Sequence, residues 1–379
     1  MDFSLSKTEI LFRQMIREFA EKEVKPLAAE IDEEERFPLE TVEKMARLGI
    51  MGIPFPAEYG GAGGNNILYT MAVEELSRVC ATTGVIVSAH TSLCAAPVYE
   101  FGTEEQRKKY LPKLCSGEWI GAFGLTEPNA GTDASAQQTM AVLEGDHYVL
   151  NGTKIFITNA AYANVYIVMA MTDKSLGTKG ISAFIVERDF PGFSIGKKEK
   201  KMGIRGSATC ELIFENCIVP KENLLGKPGG GFGIAMKTLD GGRIGIASQA
   251  LGIAQGAMDE TVKYVKERKQ FGKSIGKFQN TQFQLADLET KIQAARLLVR
   301  MAAYKKDQKQ SYSVDAAQAK LFAAETAMEM TTKAVQFHGG YGYTREYPVE
   351  RMMRDAKITE IYEGTSEVQR MVIAGALLK

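Results

Sequence analysis

A glutamate at a break between two helical segments is the strongest candidate for chemistry in this sequence. Residues up to Tyr362 follow a helical period, and Gly364 supplies the permissive backbone that ends a helix. Thr365 or Ser366 can cap a second helix, whose free amides form an anion site. Glu363 therefore lies at the break, where its carboxylate either points into a cavity as a general base or is simply a solvated side chain.

Other kinds of active site are poorly supported. The glycine run at residues 229–233 lacks the flanking βαβ unit of a dinucleotide site and is better explained as a flexible joint. Residues 272–274 end like a phosphate-binding loop, but Glu267 occupies the position where that motif needs glycine. The five cysteines show no CxxC spacing, and the HExxH and GxSxG motifs are missing. Neither a metal site nor triad-dependent hydrolysis is indicated.

Composition narrows the class of protein further. The chain has 379 residues, which predicts two or three subdomains, and its 46 basic and 46 acidic residues give a formal net charge of zero. Such a balance argues against nucleic acid or an anionic membrane as the main partner. Scattered cysteines fit free thiols in a reducing compartment, and the N-terminus lacks the pattern of a signal peptide. We therefore expect a cytoplasmic protein.

The elements that must position Glu363 change type twice along the chain. Residues 1–120 and 228–379 follow helical periods, whereas residues 121–227 contain short runs rich in β-branched and aromatic residues. Residues 147–150 and 154–158 flank Asn151-Gly152, a pair typical of a hairpin turn. The predicted fold class is α+β, with an N-terminal helical bundle (1–120), a central antiparallel β-barrel domain (121–227) and a C-terminal helical bundle (228–379).

Several segments resemble a known family. Residues 361–367, with the sequence IYEGTSE, are similar to the catalytic segment of the acyl-CoA dehydrogenases. The resemblance extends in chain order over essentially the whole sequence, and its other segments are residues 123–133, 156–158, 239–243, 268–272 and 336–340. It implies the acyl-CoA dehydrogenase fold and FAD as cofactor. It also implies α,β-dehydrogenation of an acyl-CoA, in which Glu363 takes the α-proton and flavin N5 receives the β-hydride.

The resemblance points to the short-chain group within the family. Residues 242–252 look most like the butyryl-CoA enzymes, which form crotonyl-CoA. Isovaleryl-type members place the catalytic glutamate where this chain has Gly242, so an intact Glu363 favours the straight-chain group. The implied partners are an acyl-CoA substrate and electron-transferring flavoprotein, in a homotetramer built as a dimer of dimers. Two alternatives stay open: an acyl-CoA oxidase that uses oxygen, and a non-catalytic scaffold or assembly protein of the same fold.

The family's functional positions carry over residue by residue. Phe156 stands where many members have tryptophan, and His338 is expected to be a packing residue because its segment supplies mainly backbone in relatives. A dry pocket should raise the pKa of the Glu363 carboxylate. The residues implied for substrate binding are Thr132, Asp240, Arg243, Tyr362 and Gly364. Those implied for FAD binding, some of them acting from a neighbouring subunit, are Phe123, Leu125, Thr126, Gly131, Thr132, Phe156, Ile157, Thr158, Arg268, Phe271, Gln279, Gln336, Phe337, Gly339, Gly340, Thr365, Ser366 and Glu367.

Overall fold

The computed structural model describes residues 4–379, and its N-terminal part is helical. The helix α1 begins at a capping box, in which Ser6 accepts a hydrogen bond from the Glu9 amide while the Glu9 side chain accepts one from the Ser6 amide. A π-helical turn, Ala89–Ala95, joins α5 to α6. The helices of this region are α1 (Lys7–Phe19), α2 (Ala28–Glu33), α3 (Leu39–Arg47), α4 (Asn66–Val79), α5 (Ala81–Ser88), α6 (Ala96–Phe101) and α7 (Glu104–Cys115).

One stretch in the described chain, Ala81–Phe101, is long and apolar enough to cross a membrane. However, 94% of its most apolar window is buried inside the protein, as is typical of a core helix. His90 lies in its middle and is fully buried, and it accepts a hydrogen bond from the Gly121 amide through Nδ1. Burial lowers the pKa of His90 to about 4, so the ring is neutral and joins this stretch to the first strand.

The central region is a single sheet of eight strands. These are β1 (Gly121–Gly124), β2 (Met140–Glu144), β3 (His147–Ile157), β4 (Val165–Met171), β5 (Ile181–Glu187), β6 (Phe193–Lys198), β7 (Cys210–Pro220) and β8 (Leu224–Leu225). Their order is β6-β7-β3-β2-β4-β5-β8, and β1 pairs with β4 in parallel. The sheet is therefore mixed, whereas a purely antiparallel one was predicted. Buried residues cover both faces of β4, which explains its continuous apolar sequence.

The predicted hairpin at Asn151-Gly152 was wrong. Both residues lie inside the continuous strand β3, and the turn falls before His147, after a strand that the sequence analysis missed. The pairing of β3 with β7 shifts register between Leu150 and Gly152, so the two residues form a bulge in the strand. A Cβ at Gly152 would lie 2.5 Å from Thr139 Oγ1. Glycine is needed there for close approach of the chain and for its positive φ of 147°.

The C-terminal region is a bundle of long helices. They are α8 (Gly231–Glu267), α9 (Gln279–Asp307), α10 (Ser313–His338), α11 (Gly340–Tyr343), α12 (Val349–Lys357) and α13 (Ser366–Leu377), with a small hairpin of β9 (Lys269–Gln270) and β10 (Lys273–Ser274) after α8. The helix predicted to reach Tyr362 ends at Lys357 and continues as one 3-10 turn, Ile358–Glu360. The fold class of two helical regions around a sheet is confirmed. The division at residues 120 and 227 stays a prediction.

Candidate active site

The break before α13 holds two consecutive residues in left-handed backbone. Glu363 has a φ of 53° and Gly364 a φ of 91°. A left-handed glutamate is strained, and such strain persists where the surroundings hold it. Two buried donors do so here, since Lys320 Nζ and Gln369 Nε2 donate to the Gly364 carbonyl at 2.7 and 2.9 Å. Thr365 caps α13 by accepting from the Val368 amide, so the predicted cap is this residue.

The break opens onto a cavity of about 290 Å³ that is built by segments far apart in the sequence. The segments come from α8, from the loop after β1 and from the end of β3. Twelve lining residues were predicted as site residues: Phe123, Leu125, Thr126, Gly131, Thr132, Phe156, Ile157, Thr158, Arg243, Tyr362, Glu363 and Gly364. The lining residues that were not named individually as site residues are Ala89, Leu93, Asp133, Ala134, Ser135, Phe232, Met236, Leu239 and Val368.

The carboxylate of Glu363 is incompletely paired. Its Oε2 atom is buried and has no hydrogen-bond partner among residues 4–379. Burial raises the pKa of Glu363 to about 8, and the positive charges of Lys320 and Arg243 oppose this rise. The expected upward shift is therefore confirmed. Such a carboxylate suits a proton acceptor that works near neutral pH.

Gly242 leaves the space that the Glu363 carboxylate occupies. A Cβ at Gly242 would lie 2.0 Å from Glu363 Oε2 and 2.8 Å from a methyl group of Leu93. Gly242 is the position where the resemblance places the glutamate of isovaleryl-type enzymes, and it adjoins the Glu363 carboxylate. Two places in the sequence converge on one place in the fold.

A buried ion pair shapes the loop after β1. Lys154 is fully buried, and its Nζ donates to Glu127 Oε1 at 2.7 Å, to Gln137 at 3.0 Å and to the Leu125 carbonyl at 3.0 Å. The other Glu127 contacts are backbone amides, including that of Thr139 at 3.0 Å. The pair therefore fixes the backbone of Leu125 and its neighbours. The sequence analysis missed Lys154. The available signal was the alternation of side chains along β3, which places Lys154 at a buried position of the strand.

The end of β3 bends to place an aromatic side chain at the mouth of the cavity. Phe156 has a positive φ of 59°, and the pairing with β7 is irregular between Lys154 and Ile157. The Phe156 ring is 61% exposed although it lines the cavity. An exposed aromatic face beside a cavity is a surface on which a planar ring can stack.

The helix α8 supplies a largely buried ion pair next to the cavity. Arg243 Nη1 donates to Asp240 Oδ1 at 2.6 Å, and Ser313 Oγ donates to the same carboxylate oxygen. Arg243 reaches the cavity, whereas Asp240 is not one of its lining residues and acts on it through Arg243. Burial raises the pKa of Asp240. Arg243 Nε is buried without a hydrogen-bond partner in the described chain.

Two apolar elements close the inner end of the cavity. Leu93 and Ala89 contribute from the π-helical turn, and Tyr362 contributes from the break. The Tyr362 hydroxyl donates to Gln249 Oε1, whose amide nitrogen donates to the Ala81 carbonyl at 3.0 Å. This chain of hydrogen bonds ties the break to the start of α5 and fixes the wall.

A second, open cavity of about 530 Å³ holds the predicted Arg268 group. It is lined by four predicted residues, Arg268, Phe337, Gly339 and Gly340. The His338 ring stacks on Tyr264 at 4.2 Å, as expected of a packing residue. Phe271, Gln279 and Gln336 line neither this cavity nor the first, and the structure thus separates the Arg268 group from Glu363.

The start of α13 contributes to the first cavity only indirectly. Ser366 is buried and Glu367 is exposed, and like Thr365 they are not lining residues. Ser366 Oγ has no hydrogen-bond partner within residues 4–379. A helix N-terminus with a free buried hydroxyl can receive an anionic group.

Family models cover the three parts of the chain. The N-terminal, middle and C-terminal domain models of acyl-CoA dehydrogenase match residues 6–118, 122–217 and 229–378. The chain belongs to the acyl-CoA dehydrogenase family. It is 66% identical, over the full length of both chains, to a short-chain specific acyl-CoA dehydrogenase of Clostridium acetobutylicum.

Solved structures of this family share the arrangement throughout. A butyryl-CoA dehydrogenase from Megasphaera elsdenii is 54% identical with a TM-score of 0.98, and each chain covers 100% of the other. A chain from the structure of the electron transferring flavoprotein of Acidaminococcus fermentans is 59% identical with a TM-score of 0.99, again over 100% of both chains.

Acyl-CoA dehydrogenases depend on FAD, and the residues of this chain fit a flavin. Phe156 offers an aromatic face, and the Thr126, Thr132 and Thr158 hydroxyls line the same cavity. Glu363, whose buried Oε2 atom has no hydrogen-bond partner in the described chain, lines the same cavity. Arg268 gives the second cavity a cationic donor, in keeping with a charged diphosphate.

Proposed function

We propose that this protein is an FAD-dependent short-chain acyl-CoA dehydrogenase that converts butyryl-CoA to crotonyl-CoA. The observation that carries the proposal is the convergence on one cavity of the incompletely paired Glu363 carboxylate, the Thr126 loop and the Phe156 to Thr158 strand end. A base, a flavin platform and a narrow space between them are what thioester dehydrogenation requires. The full-length similarity to short-chain enzymes supports the same substrate class.

Glu363 is proposed to take the α-proton of the bound thioester. Its raised pKa of about 8 brings the carboxylate closer to the acidity of a polarised thioester, which favours proton transfer. The Glu363 backbone amide is the proposed donor to the developing enolate oxygen. Bound FAD supplies the acceptor for the β-hydride.

The other residues are proposed to bind and orient. Thr126, Thr158 and Phe156 hold the ring, while Arg268 with Phe337 and Gly340 holds the diphosphate half of a neighbouring subunit's cofactor. Arg243 orients the acyl-CoA, with Asp240 fixing its guanidinium. Leu93 and Tyr362 limit the acyl chain to a short one, since both line the small inner cavity.

Assembly, location and partner are part of the proposal. A homotetramer, built as a dimer of dimers, is supported by the exposed apolar side chains of Phe271, Met371 and Leu377. Five free, buried cysteines fit a reducing cytoplasm. Electron-transferring flavoprotein is the proposed electron acceptor, in view of the match to a chain solved with such a protein.

The test is an anaerobic titration of the purified protein with acyl-CoAs of graded chain length. We expect a yellow protein whose flavin absorbance bleaches most completely with butyryl-CoA. Reoxidation by electron-transferring flavoprotein, and not by air, separates a dehydrogenase from an oxidase. A colourless protein, or a flavin that no acyl-CoA bleaches, would indicate a scaffold function instead.

A further inference from the structure

Lys320 is a fully buried cation directly behind the segment that carries Glu363. It lies on α10 and its side chain is 0% exposed. The ammonium group has three N–H donors, and within the described chain it makes one hydrogen bond, to the Gly364 carbonyl at 2.7 Å. A buried ammonium with one neutral partner is costly unless negative charge lies nearby.

Of the negative charges that act on Lys320, that of Glu363 has the largest effect on its pKa. Burial lowers the pKa of Lys320 to about 8, and Glu363 is the strongest of the groups that oppose this, ahead of Glu360 and Glu367. Arg243 adds to the lowering from the α8 side. Glu363 in turn faces Lys320 and Arg243, together with the Tyr362 and Tyr69 hydroxyls.

The two cations near Glu363 are not equivalent. Arg243 forms an ion pair with Asp240 at 2.6 Å, so much of its charge is already balanced. Lys320 has no carboxylate within ion-pair distance among residues 4–379. Its charge is therefore the less compensated of the two that act on Glu363.

We propose that Lys320 is a positioning residue for the general base, which fixes the left-handed turn through the Gly364 carbonyl and balances the charge of the Glu363 carboxylate. Lys320 does not line the cavity, so it acts through Glu363 and does not touch the substrate. This inference rests on the proposed function, in which Glu363 is the base.

Three substitutions separate charge from hydrogen bonding. Lys320→Gln keeps a donor and removes the charge, Lys320→Met removes both, and Lys320→Arg keeps both. The measurement is the pH dependence of flavin reduction by butyryl-CoA in anaerobic stopped flow, on FAD-loaded protein. Loss of the cation raises the pKa of Glu363, so the acid limb of the rate profile moves to higher pH, by roughly one unit.

We expect the acid limb to shift in Lys320→Gln and in Lys320→Met. In Lys320→Arg it should stay at its original pH. The Met variant should also lose maximal rate while the substrate concentration for half-saturation changes little. Lys305→Met is the control, because Lys305 lies on α9, pairs with Asp315 of α10 at 2.6 Å and is not among the charged groups that act on Glu363; the acid limb of this variant should stay where it is.

An unshifted acid limb in folded, yellow Lys320→Gln protein overturns the proposal, whatever the stability of the Met variant. Equal shifts in Lys305→Met would likewise overturn it, since the effect would then be general destabilisation. Failure of the unsubstituted protein to bleach with any acyl-CoA is a different result, which removes the proposed function itself.

Discussion

The two cavities of this protein differ in how much of a binding site one chain completes. The Glu363 cavity is lined by segments from all three parts of the chain, and Glu363 Oε2 and Arg243 Nε are buried there without hydrogen-bond partners in the described chain. The Arg268 cavity is open, and Phe271 beside it is 93% exposed with a positive φ of 52°. Burial raises the pKa of Glu363 in the first cavity, whereas the Arg268 side chain at the second cavity is exposed to solvent. This difference agrees with the proposed roles, proton transfer at the buried carboxylate and binding of a diphosphate at the exposed guanidinium.

The largest expected effect separates chemistry from binding within the first cavity. Glu363→Gln keeps the shape of the side chain but removes the proton acceptor, so the rate of flavin reduction by butyryl-CoA should fall by about 10³-fold. FAD content should not change. Glu325→Gln, which removes an exposed carboxylate paired with Arg370 of α13, is the control. Normal bleaching in Glu363→Gln would remove the assignment of the base.

The next effect concerns the loop that supports the first cavity. Lys154→Met leaves the Glu127 carboxylate buried without its cation, and we expect a loss of about 3–5 kcal/mol in unfolding free energy. The measurement is chemical denaturation of the FAD-loaded protein. The double variant Lys154→Met/Glu127→Leu should recover part of the loss. If the double variant is as unstable as the sum of the single ones, the ion pair does not hold the loop.

A smaller effect is expected in the second cavity. Arg268→Ala should weaken FAD binding by about 10- to 100-fold, the loss of a charge-assisted hydrogen bond, and should loosen the oligomer. Flavin release on dilution and sedimentation report the two effects. Lys266→Ala removes another exposed cation at the same helix end and should do neither. Full retention of flavin and assembly in Arg268→Ala would contradict the division between the cavities.

The smallest expected effect concerns the preference for acyl chain length. Leu93→Ala enlarges the inner end of the first cavity and should raise kcat/KM for hexanoyl-CoA relative to butyryl-CoA by about tenfold. Leu111→Ala truncates a fully buried leucine of the same core that does not line the cavity. Like Leu93→Ala, it should lower the free energy of unfolding by about 2–5 kcal/mol. It should not change the preference between hexanoyl-CoA and butyryl-CoA. An equal change in preference in both variants would mean that Leu93 does not set the depth.

Local patterns predicted elements well where the signal is short-range. The caps at Thr365, the helical periods of α8 and α10, and the β-rich run of β4 all appear in the structure. These elements depend on backbone propensity and on the periodicity of apolar residues, and both are set by residues close together in the sequence. The hairpin at Asn151-Gly152 failed for the complementary reason. The same two residues suit either a turn or a bulge, and pairing with β7, about sixty residues away, selected the bulge.

Of the site, the sequence by itself determined the identity of the chemical groups: the glutamate at a helix break, the glycine at position 242 that leaves it room, and the arginine of the second cavity. Tertiary structure alone decided that Lys320 lies behind Glu363, that Lys154 is buried against Glu127, and that Asp240 acts through Arg243. The physical reason is that desolvation and charge pairing depend on distances between segments far apart in the chain. A residue's type fixes which proton it can carry, and only its packed surroundings set the pH at which it releases that proton.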